Sequence, residues 1–504
     1  MAKSKNKCIV QRNLKTTSRK RDSFSHDVAV LGGGSAGYAA ARTTAAAGLK
    51  TVVIEGARAL GGLCILRGCM PSKALLYAAE VLHLARAANT WGLRIPKAGF
   101  NFRAVMARKD AMVEGFAHYR RQELGGGKFK LLRARGRFLD AHTLALSEIM
   151  GRAPKFLTAK YFVISTGSVV APPPLRDLED AGFLTSDEAL DLPRLPKSLI
   201  VLGGGPVAVE LAQFFCRFDV EVTLIQRGQH LLRDCDADAA IALEKAFRRE
   251  GIRLFTNTKM LGAFRKGRGK GIIFEHRNQI KRAAAGEILL ALGRNPATAG
   301  LGLEEIGVKT DCGRIATNAF MQTNLPHIYA AGDCTGPHQI VHIGVEQGGI
   351  AARNILHPGK KQSIDYRLLC SVVFTDPQVA VVGLTEKQAV EHNIAYLAAS
   401  HPFNDHGKAM IMGTREGFVK LLAEPGTGGI LGGACVGPMA GEMIHEIIAA
   451  MRGRMTVAEL AAMPHYHPTL AEIWTYPAEE LQTRLKQGFR RRSTKRSYCG
   501  LAKG

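Results

Sequence analysis

The stretch DVAVLGGGSAGYAAARTTAAAGLKTVVIEG, from Asp27 to Gly56, decides the fold of this chain. An apolar strand, Val28 to Leu31, runs into Gly32, Gly34 and Gly37 in G-x-G-x-x-G spacing and then into an alanine-rich helix. A second strand, TVVIE, ends at Glu55, 18 residues past Gly37. Glycines allow the tight turn and the close approach of a ligand to backbone, and the helix start at Ser35 and Ala36 offers N–H groups to a phosphate. A carboxylate closing the second strand accepts hydrogen bonds from an adenosine ribose and disfavours a 2′-phosphate. The pattern predicts a doubly wound α/β unit that holds a dinucleotide through Gly32, Gly34, Ser35, Ala36, Gly37 and Glu55.

The pattern recurs in SLIVLGGGPVAVELAQFFCRFDVEVTLIQRG, where Gly203, Gly205 and Ala208 follow the strand. The acidic position is here Gln226, followed by Arg227, with Arg233 nearby. A missing carboxylate beside a guanidinium suits a 2′-phosphate, so this site leans to NADP(H) over NAD(H). Two sites of different ribose chemistry imply two dinucleotides, read as FAD at the first and NAD(P)H at the second. A flavin is the natural step between a hydride donor and a disulfide.

Cys64 and Cys69 lie in GGLCILRGCMPSKALL, from Gly61 to Leu76. The second thiol leads into a helix that Pro71 could start, where the positive end of the helix dipole favours thiolate. Gly61, Gly62 and Gly68 leave room for a large ligand against this turn. The pair alone is compatible with a redox dithiol, a metal half-site or two inert thiols.

At 504 residues the chain exceeds a single core, and 46% hydrophobic residues with 55 glycines indicate a globular, loop-rich protein. Its apolar runs are too short for a membrane span, and its N-terminus carries no apolar secretory segment. Ten sparse cysteines fit a reducing, cytoplasmic compartment. The net charge of +25 is concentrated at the ends, with eight Lys or Arg in residues 1–22 and eight in residues 484–504. Basic tails can bind nucleic acid, anionic membrane or an acidic protein, but solvated ends are the simpler reading. Nucleic acid is not expected, because aromatic residues for base stacking are not interleaved with the charges.

With both turns and the cysteine pair in hand, the chain resembles the class I pyridine nucleotide–disulfide oxidoreductases, the family of dihydrolipoamide dehydrogenase, glutathione reductase and mercuric reductase. The similarity runs over residues 26–482. ISTGS, with Gly167, and LLALGRNP, with Gly293 and Arg294, resemble the family's two crossings between nucleotide domains. TNLPHIYAAGDC resembles the segment whose carboxylate, here Asp333, contacts the flavin ribityl chain. VVFTDPQVAVVGLTE and LGGACVGPMAGEMIHEIIAAM are similar to its interface domain.

The segment HYHPTLAEIWTYP matches the family's acid–base motif, so the resemblance makes His467 the proton donor or acceptor, Glu472 its partner and His465 structural. Pro468 predicts a helix start with His467 as N-cap. The resemblance further implies a Cys64–Cys69 redox disulfide, with Cys69 facing the flavin and Cys64 exchanging with substrate. It implies that Lys73 and Glu210 pair near the flavin's reactive edge, with Gly62 beside them. It implies a homodimer in which His467 reaches the cysteines of the other subunit, and no metal site.

Three positions depart from the family. Leu63 and Leu66 replace Thr and Asn in its G-G-T-C-x-N-x-G-C motif, which predicts an altered redox poise, and Asp219 stands where Gly is usual. RMTVAELA adds a mercuric-reductase likeness, yet the chain keeps His467 and has a single C-terminal Cys499 where mercury enzymes have Tyr and a cysteine pair. The expected substrate is therefore a small dithiol or disulfide, lipoamide or a lipoyl domain foremost. A mercuric-reductase-like or glutathione-reductase-like NADPH enzyme is the alternative. An interaction protein on this fold would need a broken cysteine pair or a lost His467, and both are present.

The expected architecture is α/β, with two Rossmann-like domains, the second inserted in the first, and a C-terminal α+β dimerisation domain. The boundaries read as 24–155 with 285–365 for FAD, 156–284 for NAD(P) and 366–482 for the interface, between basic tails at 1–23 and 483–504. Ala78 to Gly126 reads as helix without legible chemistry.

Overall fold

The computed structural model describes residues 24–150, 153–267, 269–414 and 416–498. The N-terminal basic tail lies outside them, and the C-terminal tail contributes backbone to the helix Thr475–Tyr498.

Strand β1 (His26–Leu31) feeds helix α1 (Ser35–Ala46), which returns to β2 (Thr51–Ile54). These strands pair in parallel, and the same sheet adds Lys130–Leu132, Phe156–Ile164 and Ile328–Ala330, also in parallel. Val28, Val30, Val52 and Val53 are wholly buried, because a parallel sheet built by crossovers is covered on both faces. Ala134–Phe138 and Thr143–Glu148 extend the sheet as an antiparallel meander.

Between Ile164 and Ile328 the chain makes a second parallel sheet, in the order Arg253–Phe255, Glu221–Ile225, Ser198–Leu202, Glu287–Leu290. The three-stranded antiparallel ribbon from Thr258 to Ala285 packs beside it. The second nucleotide-type unit is thus inserted in the first.

After helix Val341–Leu356 the chain forms a five-stranded antiparallel sheet, backed by helix Ala440–Arg452 and by the helix that begins at Thr475. Trp474, Ile473 and Ile444 fill the core of this part at 0% exposure. Its outermost strand, Leu397–Pro402, leads into the turn Phe403–Asp405 and the short helix Gly407–Ile411.

Two glycine positions set how closely these elements approach. A Cβ on Gly37 would lie 1.9 Å from the Gly32 carbonyl oxygen, and one on Gly348 would lie 2.1 Å from that of Ala36. The helix Val341–Leu356 therefore packs backbone to backbone on α1. Asp219, which stands where the family usually has Gly, adopts φ 64° and pairs through both carboxylate oxygens with Arg86 at 2.8 Å. Asp tolerates the left-handed region better than most side chains, and here it gains an ion pair for doing so.

Candidate active site

Both glycine-rich turns open on one continuous cavity of about 1850 Å³. Gly32 and Gly203 begin the two turns at φ 101° and 120°, where an L side chain is strained, and a Cβ at either would fall within 2.4 Å of a facing carbonyl oxygen. Gly34 and Gly205 come next with open space where a side chain would be. Ser35 and Ala36 line the same wall.

Gly37 and Ala208 correct the sequence reading, because neither lines the cavity. Both are buried behind the turns, where a small residue lets the helix sit against its strand. Glu55 does line it. Its Oε2 accepts from the Gly33 N–H and its Oε1 from the Ala57 N–H, each at 2.7 Å, which aims the carboxylate and leaves lone pairs for a ribose. Gln226 packs against Gly204 at the second turn, and the exposed Arg227 stands at the cavity edge.

Helix α2 (Gly62–Arg67) carries Cys64, and helix α3 (Cys69–Arg86) starts on the second thiol. Gly62, at φ 75°, lets α2 approach within a Cβ's reach of Gly34, so the cysteines sit directly over the first turn. Both sulfurs are half-buried free thiols lining the cavity. The hydrogen bond from the Cys64 thiol lowers Cys69 to about 7, against the effect of burial and with help from Lys73 and the helix-terminal N–H. The same hydrogen bond, with burial, pushes Cys64 up. The Leu63 and Leu66 side chains make this wall apolar, and Leu66 covers Gly61.

Lys73 donates to both oxygens of Glu210, at 2.8 and 3.1 Å, and lies 4.7 Å from the Phe374 ring centroid. Glu210 also accepts from the Phe374 N–H at 3.0 Å, so this ion pair is fixed from the C-terminal sheet. On the opposite wall Ser168, following Gly167 at φ 75°, donates to Asp333 at 2.6 Å. Arg294 Nε donates to the Ser168 hydroxyl at 2.9 Å, which sets Gly293 and Arg294 beside Asp333 and not only at the second turn. Thr166 Oγ1 is buried on this wall without a hydrogen-bond partner. Glycine walls, an oriented ribose carboxylate and an orphaned hydroxyl together fit a flavin dinucleotide.

His467 lies elsewhere. It does not line the cavity, and its side chain is 79% exposed. The helix expected to start at Pro468 begins only at Ala471, so His467 is not an N-cap but a loop residue. Residues 467–470 bend the chain back, which brings His467 Nδ1 within 3.0 Å of Glu472 Oε2. His465 is tied down, with Nε2 2.7 Å from Glu446 Oε1 and Nδ1 2.9 Å from the Met463 carbonyl.

Residues 26–348 match the family model described as pyridine nucleotide-disulphide oxidoreductase, and residues 369–478 match that family's dimerisation domain. The chain belongs to this family. Dihydrolipoyl dehydrogenase of Thermus scotoductus is 36% identical over 467 residues, covering 91% of this chain and 97% of that protein. The enzyme of the same name from Chlamydia trachomatis is 35% identical over 460 residues, covering 90% and 96%. LpdA of Mycobacterium tuberculosis superposes with a TM-score of 0.82 at 28% identity, over 90% of this chain and 99% of that one. The flavoprotein disulfide reductase RclA of Escherichia coli, solved as a Cu(II) complex, gives 0.80 at 25%, over 90% and 99%.

This pyridine nucleotide–disulphide oxidoreductase is thus a flavoprotein enzyme, and the family implies FAD and a pyridine nucleotide as its cofactors. Among the described residues no helix is long and apolar enough to cross a membrane. One group of residues, His83, Glu250 and Asp376, clusters as metal ligands could. Arg217 already donates to both of its carboxylates at 2.7 Å, so the group reads as a clamp between the second sheet and the C-terminal part. Ser168, Thr166 and the buried His406 went unread in the sequence. The first two flank Gly167 in ISTGS, whereas His406 in NDHGKA carries no local signal.

Proposed function

We propose that the chain is an FAD-dependent NAD(P)H:disulfide oxidoreductase acting on a small dithiol or disulfide of the lipoyl type. The observation that carries this reading is the placement of Cys64 and Cys69, in hydrogen-bond contact, on a cavity that both dinucleotide turns share. The layout expected for the FAD, NAD(P) and interface domains belongs to the same proposal. The relatives' name, dihydrolipoyl dehydrogenase, favours a lipoyl substrate. Arg227 at the second turn favours NADPH over NADH.

Gly32, Gly34, Gly62, Glu55, Thr166, Ser168 and Asp333 would hold FAD, and Gly203, Gly205, Gln226 and Arg227 the nicotinamide dinucleotide. When bound, FAD supplies the two-electron carrier between nicotinamide and sulfur. In the oxidative direction a substrate thiol gives its proton to His467 Nε2, and its sulfur attacks Cys64. The Cys64–Cys69 bond breaks, and Cys69 leaves as the thiolate that Lys73 and the start of α3 favour. The second substrate thiol then displaces Cys64, which takes up a proton, and the substrate leaves as a disulfide. Because His467 is exposed and off the cavity of its own chain, a second copy of the chain supplies it. Glu472 holds the imidazole in the tautomer whose Nε2 faces the thiol.

The test is anaerobic reduction of the purified flavoprotein by NADH and by NADPH, then reoxidation by lipoamide, glutathione disulfide and Hg(II). Lipoamide turnover, with the faster reduction by NADPH, is expected. Cys64→Ser should retain flavin reduction and lose lipoamide turnover by at least about a thousandfold, toward the roughly 10⁶-fold loss seen when a nucleophile is removed. Full lipoamide turnover in Cys64→Ser, or protein without bound flavin, overturns the reading.

A further inference from the structure

The carboxylate beside His467 has a second histidine behind it. His406 is 0% exposed, and its Nε2 lies 3.4 Å from Glu472 Oε1, while Glu472 Oε2 faces His467. Neither ring nitrogen of His406 has a well-aligned hydrogen bond. Its other neighbours are aromatic edges, Phe403 at 6.3 Å and Tyr476 at 6.4 Å between centroids, both near perpendicular. His401 closes the pocket by stacking on Tyr476 at 4.1 Å. A buried imidazole without a hydrogen bond is destabilising, so the carboxylate of Glu472 beside it matters. Contacts of this length in resting sites shorten when the reacting groups are in place.

We propose that His406 is a positioning residue for the acid–base pair: its N–H donates to Glu472 Oε1 and fixes the carboxylate, so that Oε2 holds His467 Nδ1 and turns Nε2 toward the reacting thiol. The inference rests on the reading of His467 as the proton-transfer group. Without this donor the carboxylate can rotate about its last side-chain bond and share itself with water, and the exposed imidazole loses the partner that holds Nδ1. The groups facing His406 are Glu472 and Tyr476 from the segment leading into the last helix, His467 from its loop and His401 from the strand. Burial lowers the pKa of His406, with opposition from Glu472 and support from His401 and His467, so it remains a neutral donor at the working pH.

The experiment uses the full-length flavoprotein and measures the pH profile of lipoamide turnover, with flavin content and circular dichroism as checks of folding. His406→Leu removes the donor, and His406→Asn keeps an N–H in similar space. His406→Leu should lower kcat about tenfold with little change in KM, a part of the roughly 10²–10⁴-fold that general acid–base assistance contributes. It should also change the pH profile of turnover, because a loosely held carboxylate orients the imidazole less firmly. His406→Asn should restore both. If leucine does not fold, His406→Met makes the same comparison. An unchanged profile in the donorless variant, or no rescue by Asn, overturns the inference. His467→Gln separates the two ideas: if it retains full turnover, the reading of His467 itself falls.

Discussion

At the scale of single residues, the proposed chemistry turns on an asymmetry within one pair. Cys64 and Cys69 are alike in burial, yet their mutual contact raises the one thiol and lowers the other. The Cys64 thiol beside it lowers Cys69 to about 7, with Lys73 and the start of α3 assisting. Thiolate absorbance of the reduced enzyme should therefore rise with a midpoint near 7 and vanish in Cys69→Ser. Cys64→Ala should move that midpoint up by one pH unit or more, since the largest stabilising contact is gone. An unchanged midpoint would show that Lys73 and the helix terminus suffice. The sequence showed both cysteines and the helix start, but it did not show that the two thiols would shift each other in opposite directions.

Among elements, the decisive contact is between α1 and helix Val341–Leu356, which are far apart in the chain. Gly37 was legible as part of a motif, but Gly348, in VEQGGIAA, looks like any helical glycine. Only the packed pair shows that a Cβ there would meet the Ala36 carbonyl at 2.1 Å. Gly348→Ala should cost about 1–3 kcal/mol, as overpacking does, and should weaken flavin retention because α1 begins on the cavity. The neighbouring Gly349→Ala meets only the flexible end of Arg353 and should be milder. Comparing thermal midpoints and flavin content of the two variants checks this. The helix expected at Pro468 failed for a related reason. Residues 467–470 are shaped by the bend that carries His467 over Glu472, and a propensity for Pro at a helix start does not contain that information.

For the whole molecule, charge and burial set the response to pH. Burial is the leading cause of a lowered pKa at His26, His83, His327, His338, His342 and His406. The unfolded chain binds protons at these rings near pH 6.5, where the folded chain does not, so stability is full above that pH and falls as pH drops through it. Denaturant midpoints measured from pH 7.5 down to 5.5 should decline steadily, and His406→Asn should flatten the decline. A midpoint constant across that window would refute the assignment.

The sequence by itself determined the family, the two dinucleotide turns, the inserted order of domains and the residues of both the thiol pair and the His467–Glu472 pair. Those features live in short local patterns, because a strand–glycine turn–helix must present its glycines at fixed spacing to bring backbone against a phosphate. Tertiary structure decided what stands behind them. It put Ser168 and Arg294 on Asp333, fixed Lys73–Glu210 from a distant strand, and buried His406 against the far oxygen of Glu472. Each of these joins residues from separate elements, and a contact made by packing leaves no periodic trace in the chain. It also left His467 exposed and off its own chain's cavity, a fact of position that no local pattern records.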